Sequence, residues 1–215
     1  MKLHGLDVSS PTNKVRYLAN ALGVDYEFNL VMPLSEQTQN EDYQKLHPAG
    51  KVPVLEDGDT TLFESAAIIK YLARKYKSSY YPEDIEIQAK IDQWIDFVSV
   101  HVRSAMVRVF WNTVGIKFMG EEVDEKSLQA GREFLDRFLP ILDKQLGKNK
   151  YLAGNELTLA DFNLLAELDA AEPAGVDITQ YPNLNTWREN LRKEDFYQVD
   201  RSFGESLLAK HLNAN

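Results

Sequence analysis

The feature that most constrains this chain is a change of pattern near residue 77. Before it, short apolar runs alternate with segments of helical spacing. "KLHGL" reads as a first strand. "TNKVRYLANALG" follows, with Val15, Leu18, Ala19 and Leu22 on one helical face and Gly23 as its stop. "YEFNLV" is a second strand, and "EDYQKLHP" a short helix ended by Pro48. "KVPVLEDGDTTLF" gives two strands joined by a turn at Gly58, and "ESAAIIKYLARKY" a helix burying Ile68, Ile69 and Leu72. The order is β-α-β-α-β-β-α. A helix between the first two strands favours a parallel pair, and the tight turn makes the last pair antiparallel.

"KSSYYPED" has the polar, proline-containing character of a linker. The expected organisation is therefore a first α/β domain over 1–77, a linker over 78–85 and an all-α domain over 86–215. In the latter, "IQAKIDQWIDFVSVHVRSAMVRVFW" reads as one long helix burying Ile91, Trp94, Ile95 and Val98. "LQAGREFLDRFLPILDKQL" reads as another, kinked or broken at Pro140. In "LTLADF", Thr158 and Asp161 have the spacing of a capping box, with Leu157 and Phe162 placed to staple the helix entry. "YPNLNTWRENL" sets Leu184, Trp187 and Leu191 on one face of a further helix.

Composition narrows the chemistry. The chain has 215 residues and no cysteine, which excludes disulfides, thiolate metal ligands and a cysteine nucleophile. Any thiol chemistry must use a thiol that arrives on a ligand. His4, His47, His101 and His211 lack metal-ligand spacing, so no metal site is expected. A formal charge of −9 argues against nucleic acid and anionic membranes as partners. No apolar run reaches bilayer-spanning length, and the first residues lack the pattern of a signal peptide; a cytoplasmic location is expected.

Several short motifs point to one kind of ligand. In "LDVSSPTNKVRYL", Ser10 fits an N-cap and Pro11 the first helical position. Ser9 then sits at the positive end of that helix, where its hydroxyl can donate to an anion. Val52-Pro53 heads a strand, and a cis bond there presents the preceding backbone to an extended peptide. Glu64-Ser65 opens another helix, offering amides to a carboxylate and Glu64 to an ammonium. Together these suit a small zwitterionic peptide.

These residues carry a resemblance. "SSPTNKV", "HPAGKVPVLEDG", "TLFESAAIIKYLARKY", "LTLADF" and "YPNLNTWR" together resemble the cytosolic glutathione transferases over essentially the whole chain, nearest to the serine-using theta, phi and delta branches. The resemblance implies a thioredoxin-like first domain, an all-helical bundle as the second, and a homodimer. It implies glutathione as co-substrate, no other cofactor, and a small hydrophobic electrophile as its partner in the reaction. Ser9 matches the serine that stabilises the glutathione thiolate. Lys51 and Val52 match contacts to the glycyl and cysteinyl parts, Pro53 the cis-proline, and Glu64 with Ser65 the γ-glutamyl site. Three positions depart from the family: Thr38 stands where relatives often have histidine, Lys14 where they often have arginine, and Ala66 where some carry arginine.

The electrophile pocket is expected between the domains, with His101, Met106, Phe110, Trp111 and Phe118 as candidate lining. A thiol of pKa about 8.5 is a few per cent ionised near neutrality, so complete ionisation raises the thiolate by roughly 30-fold. Larger gains must come from holding the electrophile beside the sulfur. The expected function is glutathione conjugation. The alternatives are glutathione-dependent dehalogenation or peroxide reduction on the same fold, or a non-catalytic regulatory protein.

Overall fold

A computed structural model describes residues 1–212. Residues 213–215, the end of the expected second domain, lie outside the described residues, as does the side chain of His211. The first part runs β1 (Lys2–Gly5), α1 (Ser10–Ala21), β2 (Glu27–Leu30), α2 (Glu36–Gln39), α3 (Glu41–Leu46), β3 (Val54–Asp57), β4 (Thr60–Phe63) and α4 (Ser65–Lys75). Among the described residues the strands form one sheet of order β2-β1-β3-β4. β1 and β2 are parallel, with Leu3 opposite Phe28; β3 and β4 are antiparallel, with Leu55 opposite Leu62. The single turn α2 was not expected from the sequence. Gly23 ends α1 at φ +64°, with its N–H bonded to the Asn20 carbonyl and the Val24 N–H to Ala19, so the expected stop is a Schellman turn.

The second part opens with α5 (Ile85–Phe97), α6 (Arg103–Phe110) and α7 (Ile116–Met119), joined by two wider π turns, Val98–Val102 and Trp111–Gly115. α8 (Glu125–Leu146), α9 (Leu159–Leu168), α10 (Pro182–Leu191) and α11 (Ser202–Leu212) complete it. α8 runs unbroken through Pro140, so of the expected kink or break the break does not occur. One main hydrophobic cluster joins Leu3, Val15, Leu18 and Ile69 of the first part to Ile91, Ile95, Leu164 and Leu165 of the second. A smaller cluster of Val31, Tyr43 and Val54 lies under α3.

Thr158 and Asp161 form the expected capping box, but Asp161 does more than cap. Fully buried, its carboxylate accepts from the backbone N–H of Leu152 and Thr158 (3.0 Å each), from the Thr158 hydroxyl and from Trp187 Nε1 (3.2 Å). Burial raises its pKa to about 6, and the hydrogen bonds oppose that rise. Asp161 therefore favours the folded state most below the ordinary carboxyl pKa of about 4, and loses that contribution as pH rises through about 6. Asp161→Ala should cost about 2–4 kcal/mol, because the cap goes and buried donors are orphaned. Urea titrations of wild type and Asp161→Asn should show the wild type losing relative stability between about pH 4 and 6.

Candidate active site

The loop from β1 to α1 ends on Ser9, and the structure makes Ser9, not Ser10, the N-cap. Ser9 has extended backbone angles, its N–H bonds to Leu6, and its carbonyl accepts the first helical bond from Asn13 (2.8 Å). Ser10 is the first residue within the helix, so Pro11 moves to the second position, where a missing N–H is still harmless. The Ser9 hydroxyl makes no capping bond and is left for another partner.

The peptide bond between Val52 and Pro53 is cis. Val52 lies outside the strand pairing, which begins at Val54. The loop before it is tied down by Tyr43, whose hydroxyl donates to the Lys51 carbonyl (2.9 Å); burial pushes the Tyr43 phenol up to about 12. Lys51 is exposed. Thr38 is fully buried and its hydroxyl is spent on the Ser35 carbonyl, so it cannot take the place of a ligand-binding histidine. A Cβ at Gly50 would lie 2.6 Å from the Thr38 carbonyl oxygen, which fixes this close approach. His47 was not singled out by the sequence. Its imidazole is buried against Phe63 with Nδ1 accepting from the Ala49 N–H, and it feels both Glu64 and Lys51. Burial lowers its pKa, against the opposing pull of Glu64.

Glu64 caps α4 from a backbone at φ 67°, ψ 106°. A non-glycine residue held there costs about 1–3 kcal/mol, and such positions cluster at functional sites. The geometry leaves the Glu64 side chain exposed beside the free amides that begin at Ser65.

Beneath α1 lies a second arrangement that spacing could not show. Lys14 is fully buried; its ammonium donates to the Asn163 side chain and pairs with Glu167 (3.3 Å). Glu167 also receives Arg103 from α6 (3.1 Å), and Asn163 donates to the Ile95 carbonyl (3.2 Å). Burial lowers the Lys14 pKa, opposed by Glu167. This network joins α1 to α5, α6 and α9.

The candidate electrophile residues are dispersed. Met106 is 1% exposed within the main core, so it leaves the candidate pocket. The spacing that suggested it is that of a core residue. His101 is exposed and packs its ring against Phe97 and Phe138 on the seam of α5 and α8. Trp111 lies over Gly115, where a Cβ would come within 2.6 Å of its ring. Phe110 is half-buried against the core, and Phe118 is half-buried on α7. α7 packs against α11, a helix the sequence reading did not identify.

A glutathione S-transferase N-terminal domain model matches residues 3–80, and the corresponding C-terminal domain model matches 102–195. Glutathione S-transferase theta-1 of Homo sapiens is 33% identical over 199 residues, covering 89% of this chain and 83% of that one. The chain belongs to the glutathione S-transferase family. Glutathione S-transferase 3 of Zea mays is 31% identical, over 92% of this chain and 91% of its own. Among solved structures, a human theta-class transferase in complex with the glutathione conjugate of 1-menaphthyl sulfate aligns with a TM-score of 0.88. It is 29% identical, over 98% of this chain and 89% of that one. The transferase thus has the thioredoxin-like sheet domain and helical domain of its family.

The strain at Glu64 gives this transferase a separable signature. Glu64→Gly should raise stability by about 1 kcal/mol through relief of the positive φ. On the expectation that Glu64 pairs with the ammonium of glutathione, the same change should weaken glutathione binding about tenfold or more. Glu64→Ala should lose the affinity without the stability gain. Thermal melts and calorimetry with glutathione check both.

Proposed function

We propose that Ser9 donates its hydroxyl hydrogen bond to the thiolate of bound glutathione, which then attacks a small apolar electrophile. The observation that carries this reading is the free Ser9 hydroxyl at the positive end of α1 in a chain without cysteine. A hydrogen bond to the charged form, reinforced by the helix end, lowers the thiol pKa. Lys51 faces the glycyl carboxylate as an exposed cation. The Val52 backbone pairs with the cysteinyl part, with Pro53 setting its direction. Glu64 takes the γ-glutamyl ammonium, while the Ser65 hydroxyl and amide take its carboxylate.

Ser9 supplies ionisation only, and the space beside it supplies orientation. Of the expected lining, Phe118 and Phe110 stay in this reading. The enzyme works as a homodimer in the cytoplasm, and analytical ultracentrifugation should give about twice the chain mass of 24.6 kDa. A 24.6 kDa species at micromolar concentration rejects the dimer.

Ser9→Ala sets the main test. With 1-chloro-2,4-dinitrobenzene as electrophile, kcat/KM at about pH 7 should fall by roughly 10- to 30-fold, the upper figure being the limit set by thiol ionisation. The deficit should shrink toward pH 9, because the unassisted thiol ionises near pH 8.5 to 9. Ser10→Ala serves as the control for helix opening. Equal rates for Ser9→Ala and wild type across this range would remove Ser9 from the mechanism.

A further inference from the structure

Asp7 stands two residues before Ser9 and is 4% exposed. Its carboxylate is spent on a helix almost two hundred residues away. The two oxygens accept from the backbone N–H of Phe203 (3.0 Å) and Gly204 (3.0 and 3.1 Å), in the first turn of α11. These are donors that a helix cannot satisfy from within, and an anion at that end also meets the positive pole of the helix.

The contact is close as well as charged. A Cβ at Gly204 would lie 2.4 Å from Val8 Cγ2 and 2.6 Å from Asp7 Oδ1, so only glycine lets α11 approach this far. Arg16 braces the same corner: its guanidinium donates to the Asp7 carbonyl (3.3 Å) and to the Asp200 carbonyl (2.8 Å). Asp200 in turn accepts from the Ser202 N–H (2.9 Å), which sets the chain direction into α11. The β1–α1 loop and the start of α11 are therefore one unit.

The pinned face has a defined character. Gly204, Leu207 and Leu208 share one side of α11; Gly204 is buried and both leucines are half-buried, whereas Glu205, Ser206, Ala209 and Lys210 are exposed. Because Gly204 rests on Val8, that side faces the loop that carries Ser9. α7, with Phe118, packs on α11 from the second domain.

We propose that Asp7 is a positioning residue that holds α11 over the Ser9 loop, making Leu207 and Leu208 the outer wall of the pocket for the apolar electrophile. Asp7 touches neither substrate. It fixes where the acceptor molecule is held, and glutathione binding rests on other groups. The inference rests on the placement of the thiolate at Ser9. Wild-type rates in Ser9→Ala would fail that placement, whereas the measurements below can fail the wall alone.

The full-length enzyme is assayed with saturating glutathione and varied 1-chloro-2,4-dinitrobenzene, alongside calorimetry with glutathione. Asp7→Ala should raise the electrophile KM about tenfold, as loss of a charge-assisted anchor implies, with glutathione affinity held within about twofold. Amide exchange at residues 203–208 should accelerate in the same variant. Asp7→Asn keeps one carbonyl acceptor and should fall between. Gly204→Ala separates the same surfaces without removing charge, so it should reproduce the Asp7→Ala pattern, and it carries the test alone if Asp7→Ala does not fold. The double variant should be no worse than the stronger single one, since both release one contact. An unchanged electrophile KM overturns the proposal, as do equal losses for both substrates or additive effects in the double variant.

Discussion

A lysine ammonium out of reach of water is tolerated only where charge and hydrogen bonds replace its hydration. Lys14 meets that condition because α9 offers Glu167 and Asn163 at the same point, and the Glu167 carboxylate is shared with Arg103 from α6. Apolar burial is non-directional and would allow α1 to slide or turn by small amounts. A buried ion pair allows much less, since displacement leaves a charge unpaired at a cost of about 3–5 kcal/mol. Lys14 is little more than one turn along α1 from Ser9. The aim of the Ser9 hydroxyl is thus referred to the helical domain as well as to the sheet.

The rest of the site follows from backbone ends. Ser9 and Glu64 each cap a helix whose first amides have no internal acceptor, and neither side chain closes its own cap. Two helix entries left open in this way are poor local folding devices. They are held by surroundings: the Schellman stop at Gly23, the sheet pairing through Leu55, and the buried network under α1. Stability is supplied away from the two open helix entries.

What the sequence made legible was local. Gly23, the Gly58 turn and the pair Thr158 and Asp161 are signals in which both partners lie within a few residues, and the structure contains each of them. The strand pairing also followed, because chain order and loop length leave little choice. The errors came where two environments share one spacing: Met106 has the same periodicity in a core as in a pocket lining, and Ser9 and Ser10 differ by one residue at a helix start. Long-range polar contacts were invisible. Lys14 with Asn163 spans 149 residues and Asp7 with Gly204 spans 197, and no periodicity encodes such a meeting. The positive φ of Glu64 was equally hidden, since nothing in "FESAA" signals it.

The hydrophobic cluster that runs from Leu3 and Val15 through to Leu164 and Leu165 crosses the point where the pattern of the chain changes. A seam in the sequence is therefore no seam in the packing. Each half alone would leave α1 or α9 with an apolar side facing water, and the sheet half alone would leave Lys14 a charge without its counterpart. Recombining this helical domain with the sheet domain of a relative thus means matching a whole inner surface, ion pair included. A graft cut at the linker and chosen only for its site residues inherits the wrong fit.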